Sequence, residues 1–452
     1  MSEISFDNLC DILKLLPAKS LLRFRCLSKA HCSLIDTPDF INLHLSQSII
    51  TNTNRSSIII HSNKIYTIDL DSPARQLVEC DYPFINLCLI VGSCNGLIAL
   101  YHPQEGMFMW NPSTKMHQKR VFDIFVSHRH KNSFFVLPTT SPLSEIAGPF
   151  LTVHSIVLSN EAQKKNFCVY ETQKCQKPHQ KLPYVWRPSY KNRRSDDYDL
   201  LDGFGCDPVS DDYKWIRVRT MHKENHVYRD DGILVKRRTQ SSVTVYSVKH
   251  NSSRMIADFP NYKPRNNRDC GTLVGSCLHW IVSEPDISSN NLIFSFNLED
   301  ERFGMLPVPD KLMSRHYPPM ELGEVRGWLS ISMDEYHGKS VDIWVMKEYG
   351  KRDSWIRILS VHKANLNDLN YLQCATPIGC SKNGNKLLLH VSRDGLWECD
   401  LQEEENQTSQ QTPNVPDKRV RRVRGSYFYS QYSCVRSLVP LQNINIYKLK
   451  RM

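Results

Sequence analysis

Residues 91–100 read Val-Gly-Ser-Cys-Asn-Gly-Leu-Ile-Ala-Leu, and residues 107–114 read Met-Phe-Met-Trp-Asn-Pro-Ser-Thr. Asn95-Gly96 is a strong two-residue turn signal ahead of an apolar strand. Met107 to Trp110 makes the returning strand, and Asn111 to Thr114 makes the turn out. Working outward, Ser57–Ile60 and Lys64–Leu70 form an earlier hairpin. Downstream the same plan recurs. Val243–Val248 runs into a polar turn at His250-Asn251, and Gly275–Trp280 is followed by Leu292–Leu298 and a turn at Glu299-Asp300. Gly327–Ile331 is followed by Val341–Met346 and Lys351–Trp355, and Leu387–Leu389 by Leu396–Asp400.

An aromatic marks the returning strand of each unit, at Tyr66, Trp110, Tyr246, Phe296, Trp344 and Trp397. The spacings are 44, 136, 50, 48 and 53, and the long one is close to three of the others. Repeats of about 40 to 50 residues with four strands each are the mark of a β-propeller, with kelch units at the long end. Six to eight blades are expected. One or two degenerate blades would fall in 120–200, around Phe150–Leu158 and Phe167–Tyr170. An irregular pair of β-sandwiches is the alternative.

The first forty-five residues follow a different period. Leu9, Ile12, Leu13 and Leu16 recur at helical intervals, as do Leu21, Leu22 and Leu27, with Pro17 between the two sets. A third apolar set, Leu34, Ile35, Phe40, Ile41 and Leu45, follows around Pro38. So short a segment makes a marginal core, yet it shows apolar residues on more than one face. Either the rest of the chain or another protein must cover the surplus.

This stretch resembles the F-box, the helical module that docks a substrate receptor onto the Skp adaptor of a cullin-based ubiquitin ligase. The resemblance rests on Ile12-Leu13, Leu16-Pro17-Ala18-Lys19-Ser20-Leu21, Arg23-Phe24-Arg25-Cys26-Leu27-Ser28-Lys29 and Leu34-Ile35. Ser5-Phe6 stands where a leading Leu-Pro is usual, and His31 where a Trp is common. The resemblance implies that Leu9, Ile12, Leu13, Leu16, Pro17, Leu21, Leu22, Phe24 and Leu27 bind the adaptor.

The remainder resembles the F-box-associated domain of plant receptors. The matching strings are Gly92-Ser93-Cys94-Asn95-Gly96-Leu97, Trp110-Asn111-Pro112-Ser113-Thr114, and Gly203-Phe204-Gly205-Cys206-Asp207-Pro208-Val209-Ser210-Asp211-Asp212-Tyr213-Lys214. Asp342 to Tyr349 with Ser354-Trp355 adds to them. The nearest subgroup is the one linked to control of immune-receptor levels. The expected architecture is therefore α+β and multidomain. A small all-α F-box occupies 1–48, and an all-β kelch-like propeller that binds substrate occupies 49–440.

The chain has 452 residues, a net charge of +10 and 15 cysteines without one Cys-x-x-Cys pair. Scattered thiols in odd number read as reduced, in cytosol or nucleus, so the sequons at Asn54, Asn251 and Asn406 are expected to stay unmodified. No long apolar run suggests a membrane span, and Glu3, Asp7 and Asp11 argue against a signal peptide. The charge is local. Residues 403–452 hold nine Lys/Arg against four Asp/Glu, whereas 1–48 hold five of each. The sharpest run is Lys418, Arg419, Arg421, Arg422 and Arg424, placed here in a flexible loop over 403–424. It reads as a nuclear localisation signal or as the basic edge leading into a last strand, Tyr427–Val439, that closes the propeller on its first blade. It is a poor argument for nucleic acid.

Chemistry-bearing residues are sparse. Asp207, Asp211 and Asp212 could pair for acid–base work or hold a cation, but Asp-Pro and Ser-Asp-Asp are ordinary turn residues before a strand at Tyr213–Val218. His128 and His130 lack a second ligand pair at zinc spacing. Cys277 and His279 share a strand face with nothing nearby to complete a triad. Trp280, Trp328, Trp344 and Trp397 read as filling between blades. No phosphate loop or nucleophile elbow occurs. No metal, cofactor or catalytic residue is expected. The resemblances imply a non-catalytic receptor subunit whose partners are a Skp-type adaptor, a cullin through it, and a substrate protein. It would work in cytoplasm and nucleus, in plant defence. The alternative is a propeller enzyme or ligand binder with a helical cap. Residues 134–148 and 175–198 are the expected recognition loops, with Pro183, Arg193 and Arg194 in the second.

Overall fold

The computed structural model describes residues 6–120 and 198–441, less the stretches 62–63, 73–75, 81–87, 103–105, 230–231, 257–258, 260–261, 265–267, 284–290, 309–319, 335–339, 363–374, 382, 392–394, 402–419 and 425–429. The expectations placed within 121–197, including His128, His130 and both degenerate blades, lie outside the described residues.

The N-terminal segment forms four helices, α1 (Phe6–Leu13), α2 (Ala18–Phe24), α3 (Lys29–Ile35) and α4 (Pro38–Ile50). Periodicity alone runs the second apolar set on to Leu27. Ser28 stops it, because its Oγ accepts from the His31 N–H at 3.2 Å and caps α3 instead. Thr37 does the same for α4, accepting from Phe40 N–H at 3.3 Å, with Pro38 in the first turn.

The strands follow in chain order. The first sheet holds β1 (Arg55–His61), β2 (Lys64–Asp69) and β3 (Leu77–Cys80). The second holds β4 (Leu89–Cys94), β5 (Leu97–His102), β6 (Gly106–Asn111) and β7 (Met116–Arg120). The third holds β8 (Tyr198–Asp207), β9 (Asp212–Arg229), β10 (Gly232–Ser247) and β11 (Ser252–Ile256). The fourth holds β12 (Lys263–Pro264), β14 (Thr272–Val274), β15 (Cys277–Ser283), β16 (Asn291–Asn297) and β17 (Phe303–Leu306), while β13 (Arg268–Cys270) joins the third sheet parallel to β8. The fifth is β18 (Met320–Val325), β19 (Trp328–Asp334), β20 (Ser340–Met346) and β21 (Trp355–His362). The sixth is β22 (Ala375–Cys380), β23 (Lys386–Val391), β24 (Gly395–Asp400) and β25 (Val420–Arg424). Last, β26 (Ser430–Val435) returns to the first sheet and pairs with β1 from Arg55↔Val435 to Ile60↔Ser430.

Six sheets make six blades. Their innermost strands β26, β4, β8, β14, β18 and β22 each touch the next, and β22 touches β26 again, so the ring closes without 121–197. The six marker aromatics sit one per blade in its third strand: Tyr66 in β2, Trp110 in β6, Tyr246 in β10, Phe296 in β16, Trp344 in β20 and Trp397 in β24. Four expectations shift. Gly275-Ser276 is a turn, not strand. Lys351–Trp355 is mostly a 3-10 turn over Arg352–Ser354, with β21 starting at Trp355. The strand expected over Tyr213–Val218 runs on to Arg229. Val420–Arg424 is blade strand, because its backbone pairs with β24.

Each interface between neighbouring blades is a separate apolar core. Ile98, Leu100 and Phe108 pack toward the first blade with Ile58 and Ile65, whereas Leu97, Ala99 and Met109 pack toward the third with Phe204, Trp215 and Tyr246. Strand β5 is therefore buried on both faces and reads as an unbroken apolar run. The string Gly-Phe-Gly at 203–205 serves the third and fourth blades. A Cβ on Gly203 would stand 2.8 Å from Leu278 and Trp280, and one on Gly205 2.5 Å from Leu298. Beside them lies a buried ion pair, Arg217 Nε to Asp202 at 2.7 Å, with the Arg217 guanidinium carbon 4.1 and 4.4 Å from the centres of the Tyr101 and Trp215 rings. The Trp215 indole N–H donates to the Asp202 carboxylate at 3.0 Å, so the charge is paired and hydrogen-bonded where it is buried, while the Trp280 indole N–H donates to the Asp202 backbone carbonyl at 3.0 Å.

Because no space exists for a side chain at Gly203, Gly203→Val should cost about 2–3 kcal/mol. A urea melt should show the lowered midpoint, while Gly275→Ala, where no atom lies within 4 Å of the new Cβ, should cost less despite its φ of +58°.

Candidate docking surfaces

The helical module closes most of its own core. Leu13, Ala18, Leu21, Leu34, Ile35, Phe40 and Ile41 are buried together, and Leu438 joins them from the other end of the chain. Leu13 and Leu21, expected at the adaptor surface, are 3% and 0% exposed and belong to this interior. Leu9, Leu16, Leu22 and Phe24 are half-buried around its edge. Ile12 and Leu27 are 52% and 65% exposed, and Pro17 is also exposed. Leu15, 64% exposed, belongs with them, although it lies outside the helical set that takes in its neighbour Leu16. His31 is half-buried, with Nδ1 2.8 Å from Ser28 Oγ. His44 is fully buried, and its Nε2–H donates to Leu16 O at 2.9 Å, tying α4 to the turn before α2. Burial pushes the His44 pKa down.

Residues 436–441 form a strap between this module and the ring. Arg436 reaches Asp69 at 2.7 and 3.0 Å and Asp71 at 3.0 Å, and its N–H donates to Asn54 O at 2.7 Å. Ser437 Oγ donates to Asn95 O at 2.7 Å. Asn111 Nδ2 donates to Ser437 O at 3.2 Å and Val439 O at 2.9 Å, while its Oδ1 accepts from Ser113 and Thr114 N–H at 2.9 and 3.3 Å. Gly96, at φ +83°, leaves the room that Ser437 occupies; a Cβ there would collide with it. The Asn-Gly and Asn-Pro-Ser-Thr strings thus hold the strap as well as their own turns. Asn52 Nδ2 adds a bond to Ser381 O at 3.2 Å.

These contacts place the helices on one face of the ring. That face carries the tight turns between first and second strands and between third and fourth, such as 95–96, 208–211, 275–276, 298–301 and 326–327. At the opposite face, second strands end and third strands begin, and each blade passes to the next.

The other chemistry-bearing candidates hold the fold together. Asp207 Oδ1 accepts from Val209 and Ser210 N–H at 2.9 and 3.3 Å, and Oδ2 from Ser210 Oγ at 2.6 Å and Lys214 Nζ at 2.8 Å. Burial alone would raise this carboxyl, but the bonds from Lys214, Ser210 and the two N–H groups outweigh it and hold the pKa at about 2. Lys214 also reaches Glu301 at 2.9 Å, joining blades three and four. Asp212 accepts from Ser247 Oγ at 2.5 Å and Lys249 N–H at 2.7 Å. His279 Nδ1–H donates to Thr272 O at 3.0 Å, which leaves Nε2 to accept from the Tyr349 hydroxyl at 2.7 Å. Burial holds His279 down at about 4 and pushes the Cys277 thiol up, so this cluster is a neutral brace between blades four and five. Trp280 and Trp397 lie within inter-blade cores, with Trp328 and Trp344 packed against others. Of the basic run, Arg421, Arg422 and Arg424 lie in β25, with Arg421 opposite Glu398 and Arg422 exposed; Lys418 and Arg419 lie outside the described residues. Among the described residues no group of His, Cys, Asp and Glu could hold a metal ion. Among the described residues no helix is long and apolar enough to cross a membrane.

A four-helix dock strapped to the tight-turn face of a six-bladed ring defines a two-part protein, one part a docking module and the other a propeller. Residues 1–43 match the F-box domain and residues 183–440 the F-box associated beta propeller domain. The chain belongs to the F-box proteins that carry an F-box associated beta propeller domain. It is 27% identical over 422 residues to the F-box protein CPR1 of Arabidopsis thaliana, covering 90% of this chain and 84% of that one. It is 24% identical to the F-box protein At4g22390 of Arabidopsis thaliana, covering 87% and 82%. The F-box/kelch-repeat protein At3g23880 of that plant is also 24% identical, over 78% and 77%.

Leu438→Ala should remove a side chain shared by dock and strap and cost about 2–3 kcal/mol. Limited proteolysis should then cut between dock and ring faster than in the unaltered chain. Asp207→Asn should cost about 2 kcal/mol at neutral pH. The carboxyl is held near 2 when folded against about 3.9 unfolded. Its contribution is therefore complete above about pH 4, and the gap between the two urea midpoints should close as pH falls from about 4 to 2.

Proposed function

We propose that the chain is the substrate-recognition subunit of an SCF-type (Skp–cullin–F-box) ubiquitin ligase. The observation that carries this reading is the apolar rim of Ile12, Leu15, Pro17 and Leu27, which stays exposed on a module whose interior is already closed. Bare leucine and isoleucine side chains gathered on a small folded module suit burial by a partner. A Skp-type adaptor is the partner that the F-box match implies, with a cullin bound through it.

In this reading no residue of the chain is catalytic. The chain supplies proximity: it binds the adaptor at one end and a target protein at the other, and so raises the effective concentration of a target lysine at the charged ubiquitin carrier. The strap makes that useful, because it ties the dock to the ring through Arg436, Ser437 and Leu438. The target would be met at the face away from the dock, where the connections between blades leave the ring. A place in plant defence belongs to the same proposal, supported by the similarity to CPR1. So does work in both cytoplasm and nucleus, supported by Lys418, Arg419, Arg421, Arg422 and Arg424.

Affinity purification of the full chain should recover a Skp-type adaptor and a cullin. Ile12→Asp combined with Leu15→Asp should weaken adaptor binding by about 100-fold without lowering the melting temperature. Leu21→Ala should instead unfold the dock, at about 3 kcal/mol. Recovery of neither partner by a folded, unaltered chain would sink the receptor reading.

A further inference from the structure

The fifth blade repeats the turns of the second with different side chains. In the second blade Asn95-Gly96 turns β4 into β5, Leu97 opens β5 and Asn111 ends β6. In the fifth, Arg326-Gly327 turns β18 into β19, Trp328 opens β19 and Lys347 follows β20. Register makes these positions equivalent. Ile98 pairs with Trp110, which sets Leu97 against Asn111, and Ser330 pairs with Val345, which sets Trp328 against Lys347. Backbone conformation agrees: φ is +51° and +83° at Asn95 and Gly96, and +54° and +80° at Arg326 and Gly327.

In the second blade these positions seat the strap. Asn95 O accepts from Ser437 Oγ, and Asn111 Nδ2 donates to Ser437 O and Val439 O. That seat suits neutral main chain, whereas its counterpart in the fifth blade carries two cations. The turn does not account for Arg326, because the left-handed region favours Gly or Asn over a long side chain. A residue kept there against that preference points to a use outside the turn. The exit from the third strand does not account for Lys347 either. Asn111 and Asn297, at that position in the second and fourth blades, each accept an N–H from two positions on, which an ammonium cannot do.

Neutral groups hold both cations in place. The Lys347 ammonium lies 3.4 Å from the centre of the Trp328 ring, and Arg326 Nη2 donates to Gly384 O in a turn of the sixth blade. Neither cation forms an ion pair with a described residue, and the carboxylates around them are engaged elsewhere. Glu324 accepts from Arg55 at 2.6 Å and from the Gly327 N–H, Glu348 pairs with Lys351, and Glu398 pairs with Lys386 at 2.9 Å. Arg326 is exposed and Lys347 half-buried. Burial, with Arg326 nearby, pushes the Lys347 pKa down. Two like charges fixed beside each other repel, and an anion set between them would offset that repulsion.

We propose that Arg326 and Lys347 form a binding site for a phosphate dianion, on the tight-turn face where the fifth blade meets the sixth. Near neutral pH a phosphate monoester carries about −1.5 to −2 charge and three acceptor oxygens. One such group matches both cations, with the remaining N–H groups of the Arg326 fork on its oxygens and Lys347 as a point charge. Two carboxylates of an acidic peptide would have to crowd beside a single turn and would repel each other. The site would serve the chain whether or not it is a ubiquitin-ligase receptor.

The test uses the full chain at constant ionic strength. Fluorescein-labelled peptides of about ten residues, random except for a central phosphoserine, are titrated with it and followed by anisotropy, beside pools with Ser or Glu at the centre. The length of about ten spans more than one blade turn. The phosphorylated pool should bind saturably and more weakly as salt rises, and inorganic phosphate should displace it. Arg326→Asn and Lys347→Asn, which give the fifth blade the side chains of the second, should each weaken binding by about tenfold or more. Lys351→Gln, outside the seat, should leave binding unchanged. Circular dichroism and an undiminished melting temperature show that each variant is folded. Displacement by inorganic phosphate as effective as by phosphopeptide would support the site with free phosphate as its source. Much tighter binding of phosphopeptide would support it with a phosphorylated protein segment as the source. Binding of neither probe, equal binding of the Ser or Glu pool, or equal binding by folded Arg326→Asn and Lys347→Asn chains would overturn the proposal.

Discussion

The ring depends on the pairing of β1 with β26. A sheet of blades that stopped after the sixth would leave an open flank on its first blade and another on its last, each presenting an apolar face to water. Instead the first blade takes its innermost strand from residues 430–435, so that the two ends of the ring are joined by backbone hydrogen bonds over six residue pairs. Closing so long a loop costs little more entropy than closing a short one. What the closure secures is the burial of Ile58, Ile65 and Cys434 against the second blade and of Ile68 and Leu70 against the sixth.

Once β26 is seated, the following residues have nowhere to go except along the tight-turn face. There Arg436 meets two carboxylates, Ser437 and Val439 meet Asn95 and Asn111, and Leu438 enters the helical core. The dock is thus finished by the same segment that finishes the ring. A module whose surplus apolar surface suggested dependence on another protein has part of that surface covered by its own chain. The remainder, around Ile12, Leu15 and Leu27, is what a partner has left to bury. Separating the two faces of the ring follows from the same constraint. The dock occupies the side with short turns, and the long hairpin of the third blade extends from the other.

Much of this was legible beforehand. Asn95-Gly96 does make a hairpin turn, with φ of +51° and +83°, and each marker aromatic does fall in a third strand. Turn chemistry and two-residue alternation act over a few residues, so a few residues suffice to read them. Asp207 reads as a turn residue for the same reason, and its Oδ1 accepts from the N–H groups two and three positions on. Errors arose where a neighbour far along the chain decides. Leu13 and Leu21 look like surface candidates because their burial depends in part on Leu438. Val420–Arg424 looks like part of a polar loop because only pairing with β24 makes it a strand. The length of β9 and β10 is not legible: Asp230 and Asp231 interrupt the apolar pattern, and the mixed charges on either side hide a hairpin whose evidence lies in its register.

By itself, then, the amino-acid sequence determined the kind of repeat, the helical character of the first fifty residues and the turns that punctuate both, because these are set by local dihedral preference and short-range side-chain bonding. Tertiary structure decided the number of blades, which apolar residues of the dock remain available, where the strap runs and how far the third blade extends. Each of those is a question of which distant strand or side chain fills a given place, and close packing allows only one occupant. Composition and periodicity report that a residue must be buried or paired. Only the closed ring shows by what.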